Sequence, residues 1–245
     1  MKYLNELLFL LVVLAANVIQ GITGFAGTVL AMPPSVLLVG MDTAKPILNV
    51  LGLLSGVWVV ATSHKHVNVK EFLKAAAVMA AGLFAGIFVK DLFADKAKLM
   101  HIVLGVIVVL VGAVGLLRTF FPPKRERSRG KIESGAILVA SGVVHGLFVC
   151  GGPLLVIYMQ DRLKEKDAFR ATISCVWIVL NGILLVDDLR LGHWTAQTLT
   201  LAAPAVLVLF AGMFLGGILY KKMSRELFIK LTFVLLIVSG ALLFV

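Results

Sequence analysis

Eight long apolar stretches joined by short polar connections leave this 245-residue chain one environment in which to fold. They run from Leu4 to Val39, Ala44 to Ser63, Phe72 to Val89, Leu99 to Leu117, Gly135 to Tyr158, Phe169 to Val186, Thr195 to Tyr220 and Leu227 to Val245. About 20 apolar residues carry a helix across the hydrocarbon core of a bilayer, and every stretch but the first suits one crossing. Hydrophobic residues make up 60% of the chain and charged residues 15%, with a mean hydropathy of +1.03. Soluble domains average about 25% charged residues, so a soluble globule is excluded. The prediction is an all-α, polytopic membrane protein with no sizeable soluble domain.

Two of the stretches carry helix breakers. The first is interrupted by GITGFAG (Gly21 to Gly27) and by Pro33-Pro34, the fifth by Gly146 and Cys150-Gly151-Gly152-Pro153. Glycine frees the backbone and proline removes an N–H donor, so each is predicted to form two shorter helical pieces, as a re-entrant hairpin or two short crossings. A basic, proline-containing linker, FPPKRERSRGKIE (Phe121 to Glu133), divides the chain into residues 1–120 and 134–245. The halves resemble each other. Leu99 to Leu117 aligns without gaps on Leu227 to Val245, GLFAG at Gly82 falls on GMFLG at Gly212, and each half opens with a broken segment.

The chain has 23 Lys and Arg against 13 Asp and Glu. On so hydrophobic a chain this excess marks cytoplasmic loops of a membrane protein rather than a nucleic-acid surface. Eight single crossings would divide the basic residues evenly. If both broken segments instead enter and return on one side, only Lys2, Lys45, Lys90, Lys96, Lys98 and Arg190 face outward, and the other 17 of the 23 face the cytoplasm. That asymmetry is the one membrane insertion produces, and it turns the second half upside down relative to the first. Inverted repeats with broken helices at matching positions mark alternating-access transporters. Lys2 ahead of Leu7 to Ala16 imitates a signal peptide, but no good small-residue cleavage site follows, so the segment is expected to be retained.

A helix that restarts at membrane depth exposes N–H groups that lipid cannot satisfy, and its positive dipole end suits a small anion. Two such cradles are expected, one at Gly24, Phe25, Ala26, Gly27 and Thr28, the other at Cys150, Gly151 and Gly152. A bulky residue at Gly27 or Gly151 is then expected to abolish transport and spare the fold. Glycines 82, 86, 212 and 216 are assigned to helix packing. Thr23, Thr28, Asn49, Ser55, His145, Thr172, Ser174 and Asn181 are polar within apolar stretches. Of these, Thr28, Asn49, His145, Thr172 and Asn181 are candidate substrate contacts. Interhelical hydrogen bonding is the alternative for each, and His145 could also relay a proton. Lys45 and Arg170 could attract an anion but are expected to snorkel, and Asp42, Asp187 and Asp188 are expected to be solvated loop carboxylates, with proton coupling as the alternative. His64 and His66 read as surface. There is no GxSxG, HExxH, CxxC pair or P-loop, and no catalytic residue, metal site or cofactor is assigned.

These motifs, GITGFAGTVLAMPP at Gly21 to Pro34, Asp42-Thr43-Ala44, HVNVKEF before the third segment and GVVHGLFVCGGPLLV at Gly142 to Val156, give the chain its resemblance to the TauE/SafE sulfite exporter family over nearly its whole length. Ala26 and Thr28 stand where glycine is common in that family. The resemblance implies a multi-pass inner-membrane transporter of small anions such as sulfite, sulfonates or related carboxylates, often moved outward, with the glycine-rich openings as the binding region. A proton or ion gradient is the expected energy source, and exposed GxxxG faces permit a homodimer. The rival readings are an anion channel and a membrane-embedded enzyme or assembly factor using His145 and Cys150.

Overall fold

In the computed structural model the described residues are 2–92, 97–121, 130–160, 162–163 and 165–222, followed by 224, 227, 230, 233–234, 237–238, 240–241 and 244. Positions 122–129 of the expected linker, and much of the last apolar stretch, lie outside them. The described chain is helical: α1 (Lys2–Thr23), α2 (Ala26–Val39), α3 (Met41–Ser63), a short 3-10 turn (His64–His66), α4 (Val69–Leu92), α5 (Ala97–Phe120), α6 (Lys131–Phe148), α7 (Gly152–Gln160), α8 (Lys166–Arg190) and α9 (Ala196–Lys222). Among the described residues, 6 helices are long and apolar enough to cross a membrane, namely α1, α3, α4, α6, α8 and α9.

Both broken segments fold back on themselves. In the first, the Asn5 amide donates to the Leu38 carbonyl at 3.2 Å, joining the start of α1 to the end of α2. In the second, Arg162 Nη2 donates to Ser134 Oγ at 3.0 Å, and Ser141 Oγ donates to the Gly151 carbonyl at 2.7 Å. Each is therefore a helical hairpin with both ends on one side. The two tips use one device, a left-handed residue that stops the incoming helix. Gly24 (φ 79) donates its N–H to Gln20 O at 2.7 Å, and Val149 (φ 56) to His145 O at 2.8 Å. Glycine adopts this conformation freely, whereas a β-branched residue there stores about 1–2 kcal/mol of strain. Burial of Val149 at 2% exposure holds it in place.

Pro33 and Pro34 do not break the chain, contrary to the sequence expectation: α2 runs through them, as α3 runs through Pro46 and α9 through Pro204. In an apolar medium the remaining backbone groups have no alternative partner, so the helix tolerates the missing donors.

The hairpins open toward opposite ends of the bundle. Helices α3 and α8 cross antiparallel, since Asn49 meets Asn181 while Gly56 lies against Ser174. Because α3 follows directly from α2 and α8 from α7, the first hairpin opens at the end where α8 finishes, and the second at the end where α3 finishes. Two parallel pairs flank this crossing. Gly82 and Gly86 of α4 abut the Val139 and Val143 carbonyls of α6, while Gly212 and Gly216 of α9 abut the Leu14 and Val18 carbonyls of α1. Lipid supplies no hydrophobic drive between helices, so such close backbone approach is what packs them. The four GxxxG pairs at Gly52, Gly82, Gly142 and Gly212 each pack against other helices of the chain.

Replacing Gly142 with Leu, whose Cβ would run into the Met79 carbonyl, should cost about 1–3 kcal/mol and lower the melting temperature in detergent. Gly182 of α8 has nothing within 4 Å of a Cβ. Gly182→Ala should therefore stabilise by about 0.5–1 kcal/mol through helix propensity alone, and a thermal melt of both variants checks the pair. Gly24→Val should destabilise more than Val149→Gly, because it adds backbone strain to a contact of 2.8 Å with Arg170 Cγ.

Candidate anion site at the hairpin tips

The two tips meet. A Cβ on Gly152 would stand 3.2 Å from the Phe25 carbonyl oxygen, so the starts of α2 and α7 face each other. Helix α2 has 14 residues and α7 has 9, about 21 Å and about 14 Å of rise. Together they cover roughly the ~30 Å hydrocarbon thickness, which puts both N-termini at depth.

Their N–H groups differ in fate. At the first tip Thr23 Oγ accepts from Phe25 N (3.1 Å) and Ala26 N (3.0 Å), and Gln20 Oε1 accepts from Gly27 N (2.8 Å). The donors expected to await an anion there are already satisfied, with Gln20 held in turn by Ser55 Oγ at 3.0 Å. At the second tip the N–H groups of Cys150, Gly151 and Gly152 have no protein acceptor among the described residues, and all three residues are buried. This is the one of the two predicted cradles that remains open.

A polar seam between α3 and α8 runs beside the tips. His145 Nε2 lies 2.8 Å from Asn181 Oδ1, and the Asn49 amide donates to the Asn181 carbonyl at 3.1 Å. An amide oxygen only accepts, so Nε2 carries the hydrogen and Nδ1 of the neutral ring is left with a bare lone pair. The ring stacks on Trp177 with centroids 5.0 Å apart. Thr28 joins from α2: a Cβ on Gly52 would lie 2.7 Å from Asn181 Nδ2 and 3.3 Å from Thr28 Oγ1. Four buried polar atoms here, Asn49 Oδ1, His145 Nδ1, Ser174 Oγ and Trp177 Nε1, have no hydrogen-bond partner among the described residues. Unpaired polar atoms in an apolar medium are costly, and a polar ligand satisfies them. Along α8 the seam extends from Arg170, whose Cγ underlies Gly24, to Asp188. Those 18 residues rise about 27 Å, close to a membrane thickness.

The structure places the predicted residues unevenly. Phe25, Thr28, Asn49, His145, Gly151, Gly152 and Asn181 gather around the tips, with buried Cys150 carrying one of the open N–H groups. Gly24 forms the first turn. Thr172 is elsewhere: its Oγ accepts from Asn68 N at 2.9 Å and fastens the loop ahead of α4. Gly27 sits against the Ala16 carbonyl and Gln20, and Gly151 against the Ser141 carbonyl and His145. A bulky residue at either would push α1 or α6 aside, which corrects the expectation that such a change spares the fold. Lys45 does not snorkel and Asp188 is not a solvated loop carboxylate; they are 3% and 0% exposed and pair at 4.0 Å. His64 and His66 are exposed, as expected.

Gln20, Trp177 and His193 were not singled out from sequence. Gln20 stands one turn before Gly24, the position His145 holds before Val149, and that correspondence was available in the aligned halves. Neither the curated proteins nor the solved structures searched contain a match to this chain. A model of one family, described as sulfite exporter TauE/SafE, matches residues 8–243. With that match over a bundle of apolar helices, the chain belongs to the TauE/SafE family and is a multi-pass membrane transporter.

Proposed function

We propose that the protein is a secondary transporter of a small oxyanion, sulfite or an organosulfonate, exporting it across the inner plasma membrane by alternating access. The observation that carries this is the trio of open N–H groups at Cys150, Gly151 and Gly152, at the positive end of α7 and facing the first tip. Such an end with glycines beside it accommodates tetrahedral or pyramidal oxyanions. The bare donors Trp177 Nε1 and Ser174 Oγ supply further contacts from α8.

Alternating access is supported by reciprocal contacts between the halves. Gly112 of α5 meets Phe233 and Ile237, while Gly240, its partner in the gap-free alignment, meets Gly105 and Val109, the partners of Phe233 and Ile237. The α4–α6 contacts repeat in the same way as α9–α1. Reciprocity of this kind is what a two-fold axis produces, and antiparallel α3 and α8 support an axis in the membrane plane. The two halves, residues 1–120 and 134–245, then rock about a fixed site as an inverted repeat. The hairpins also satisfy the condition under which 17 of the 23 basic residues share one face, which we assign to the cytoplasm.

In proteoliposomes, sulfite or methanesulfonate flux should saturate and turn over at carrier rates. Conductance far above those rates would establish the channel reading instead. Trp177→Phe keeps the stacked ring and deletes one donor, so it should raise KM about 10-fold with an unchanged melting temperature, the effect of one hydrogen bond to a charged group. An unaltered KM would remove Trp177 from the site.

A further inference from the structure

The bare polar atoms beside the α7 tip are of two kinds, and only one kind suits a fully deprotonated anion. Trp177 Nε1 donates, and Ser174 Oγ can donate or accept. Asn49 Oδ1 and His145 Nδ1 are acceptors without a hydrogen-bond partner among the described residues. Both residues are deeply buried, Asn49 at 0% exposure and His145 at 2%.

Asn181 fixes the orientation of both. Its backbone carbonyl takes an N–H of the Asn49 amide at 3.1 Å. A carbonyl cannot donate, so the amide has one orientation and presents Oδ1 at its other corner. The side-chain oxygen of Asn181 takes the Nε2–H of His145 at 2.8 Å, which turns the Nδ1 lone pair outward from that contact. These acceptors stand among the donors. The His145 ring stacks on Trp177 with centroids 5.0 Å apart, so a bare acceptor and a bare donor belong to adjacent rings. A Cβ on Gly151 would lie 2.8 Å from His145 Cβ, which places the histidine against the open N–H groups at the start of α7. Ser174, Trp177 and Asn181, at i, i+3 and i+7, share one face of α8.

The oxygens of an anion satisfy the donors but repel the two acceptors, which then stay desolvated and unpaired. A ligand that carries its own hydrogen satisfies both kinds. We propose that the site selects a monoanionic oxyanion with a hydrogen-bond donor on its central atom, the chemistry of hydrogensulfite, and that Asn49 Oδ1 and His145 Nδ1 are the acceptors that recognise the hydrogen. The anionic oxygens lie against the α7 N–H groups and Trp177, and the O–H or N–H points to α3 and α6. A site built this way rejects an analogue that lacks the hydrogen, because the analogue leaves buried polar atoms unpaired.

The inference rests on the anion site at the α7 tip, and the test separates the two. Sulfamate and methanesulfonate share charge and shape; sulfur carries an amino group in one and a methyl group in the other. Calorimetric titration of the detergent-purified protein should give sulfamate a Kd about 10-fold below that of methanesulfonate, the effect of one hydrogen bond of this kind. Asn49→Leu keeps the volume and removes one acceptor. His145→Gln keeps a donor for Asn181 and removes the Nδ1 lone pair. Each should bring the ratio of the two affinities toward unity by weakening sulfamate and sparing methanesulfonate. Trp177→Phe deletes a donor that both anions use, so it should weaken both and preserve the ratio. A general loss of packing would likewise move both ligands together, so the ratio reports the acceptors alone. Equal wild-type affinities, or a ratio that survives both acceptor changes, overturn the inference and leave the anion site standing. Failure of sulfamate, methanesulfonate and sulfite all to bind the wild type overturns the anion site itself.

Discussion

Lipid offers no hydrogen bonds, and this constraint organises the protein. Wherever the backbone stops being helical inside the bilayer, something must meet the freed N–H and C=O groups. Among the described residues it does so at the two hairpin tips, at Gly24 and at Val149, and the two stops are resolved differently. Thr23 and Gln20 bond the N–H groups at the start of α2, so the first tip is a finished structural element. At the second, Ser141 takes up the Gly151 carbonyl but no acceptor among the described residues takes up the N–H groups of Cys150, Gly151 and Gly152. This difference between the two tips is what the proposed anion site at the second one rests on.

The framework itself is carried by glycine. Gly21 and Gly216, like Gly86 and Gly146, face each other so closely that a Cβ on one would lie within about van der Waals contact of the other's Cα. Such contacts are rigid under compression but allow small sliding, and they lie between α1 and α9 and between α4 and α6, pairs that each join the two halves. The polar seam of α3 and α8 lies at the centre between them. Motion of one half against the other would shear this seam, where Asn49, Asn181, Lys45 and Asp188 make their contacts.

Much of this was legible in the sequence. The apolar stretches, the two breaks and the packing role of Gly82 and Gly212 follow from hydropathy and from residues whose backbone effects are local. The partners of polar side chains were not legible, because they are fixed by helices more than a hundred residues apart. Thr172, a polar side chain in an apolar run, bonds Asn68, while Asp188 reads as a loop residue because it ends an apolar run, yet it is buried beside Lys45 of α3. Which tip stays open was equally hidden: both are glycine-rich, and the deciding residue, Gln20, reads as one polar side chain in a long hydrophobic helix. The prolines of α2 misled because the rule that they end helices assumes water is available to the freed groups.

The central claim is that the anion lies against the start of α7. Selenite resembles sulfite in shape and scatters anomalously, so a crystal of the protein soaked with it locates the site directly. The account predicts an anomalous peak within hydrogen-bond distance of the Cys150, Gly151 and Gly152 N–H groups. A peak at the α2 tip beside Gln20, with the α7 tip empty, would contradict it.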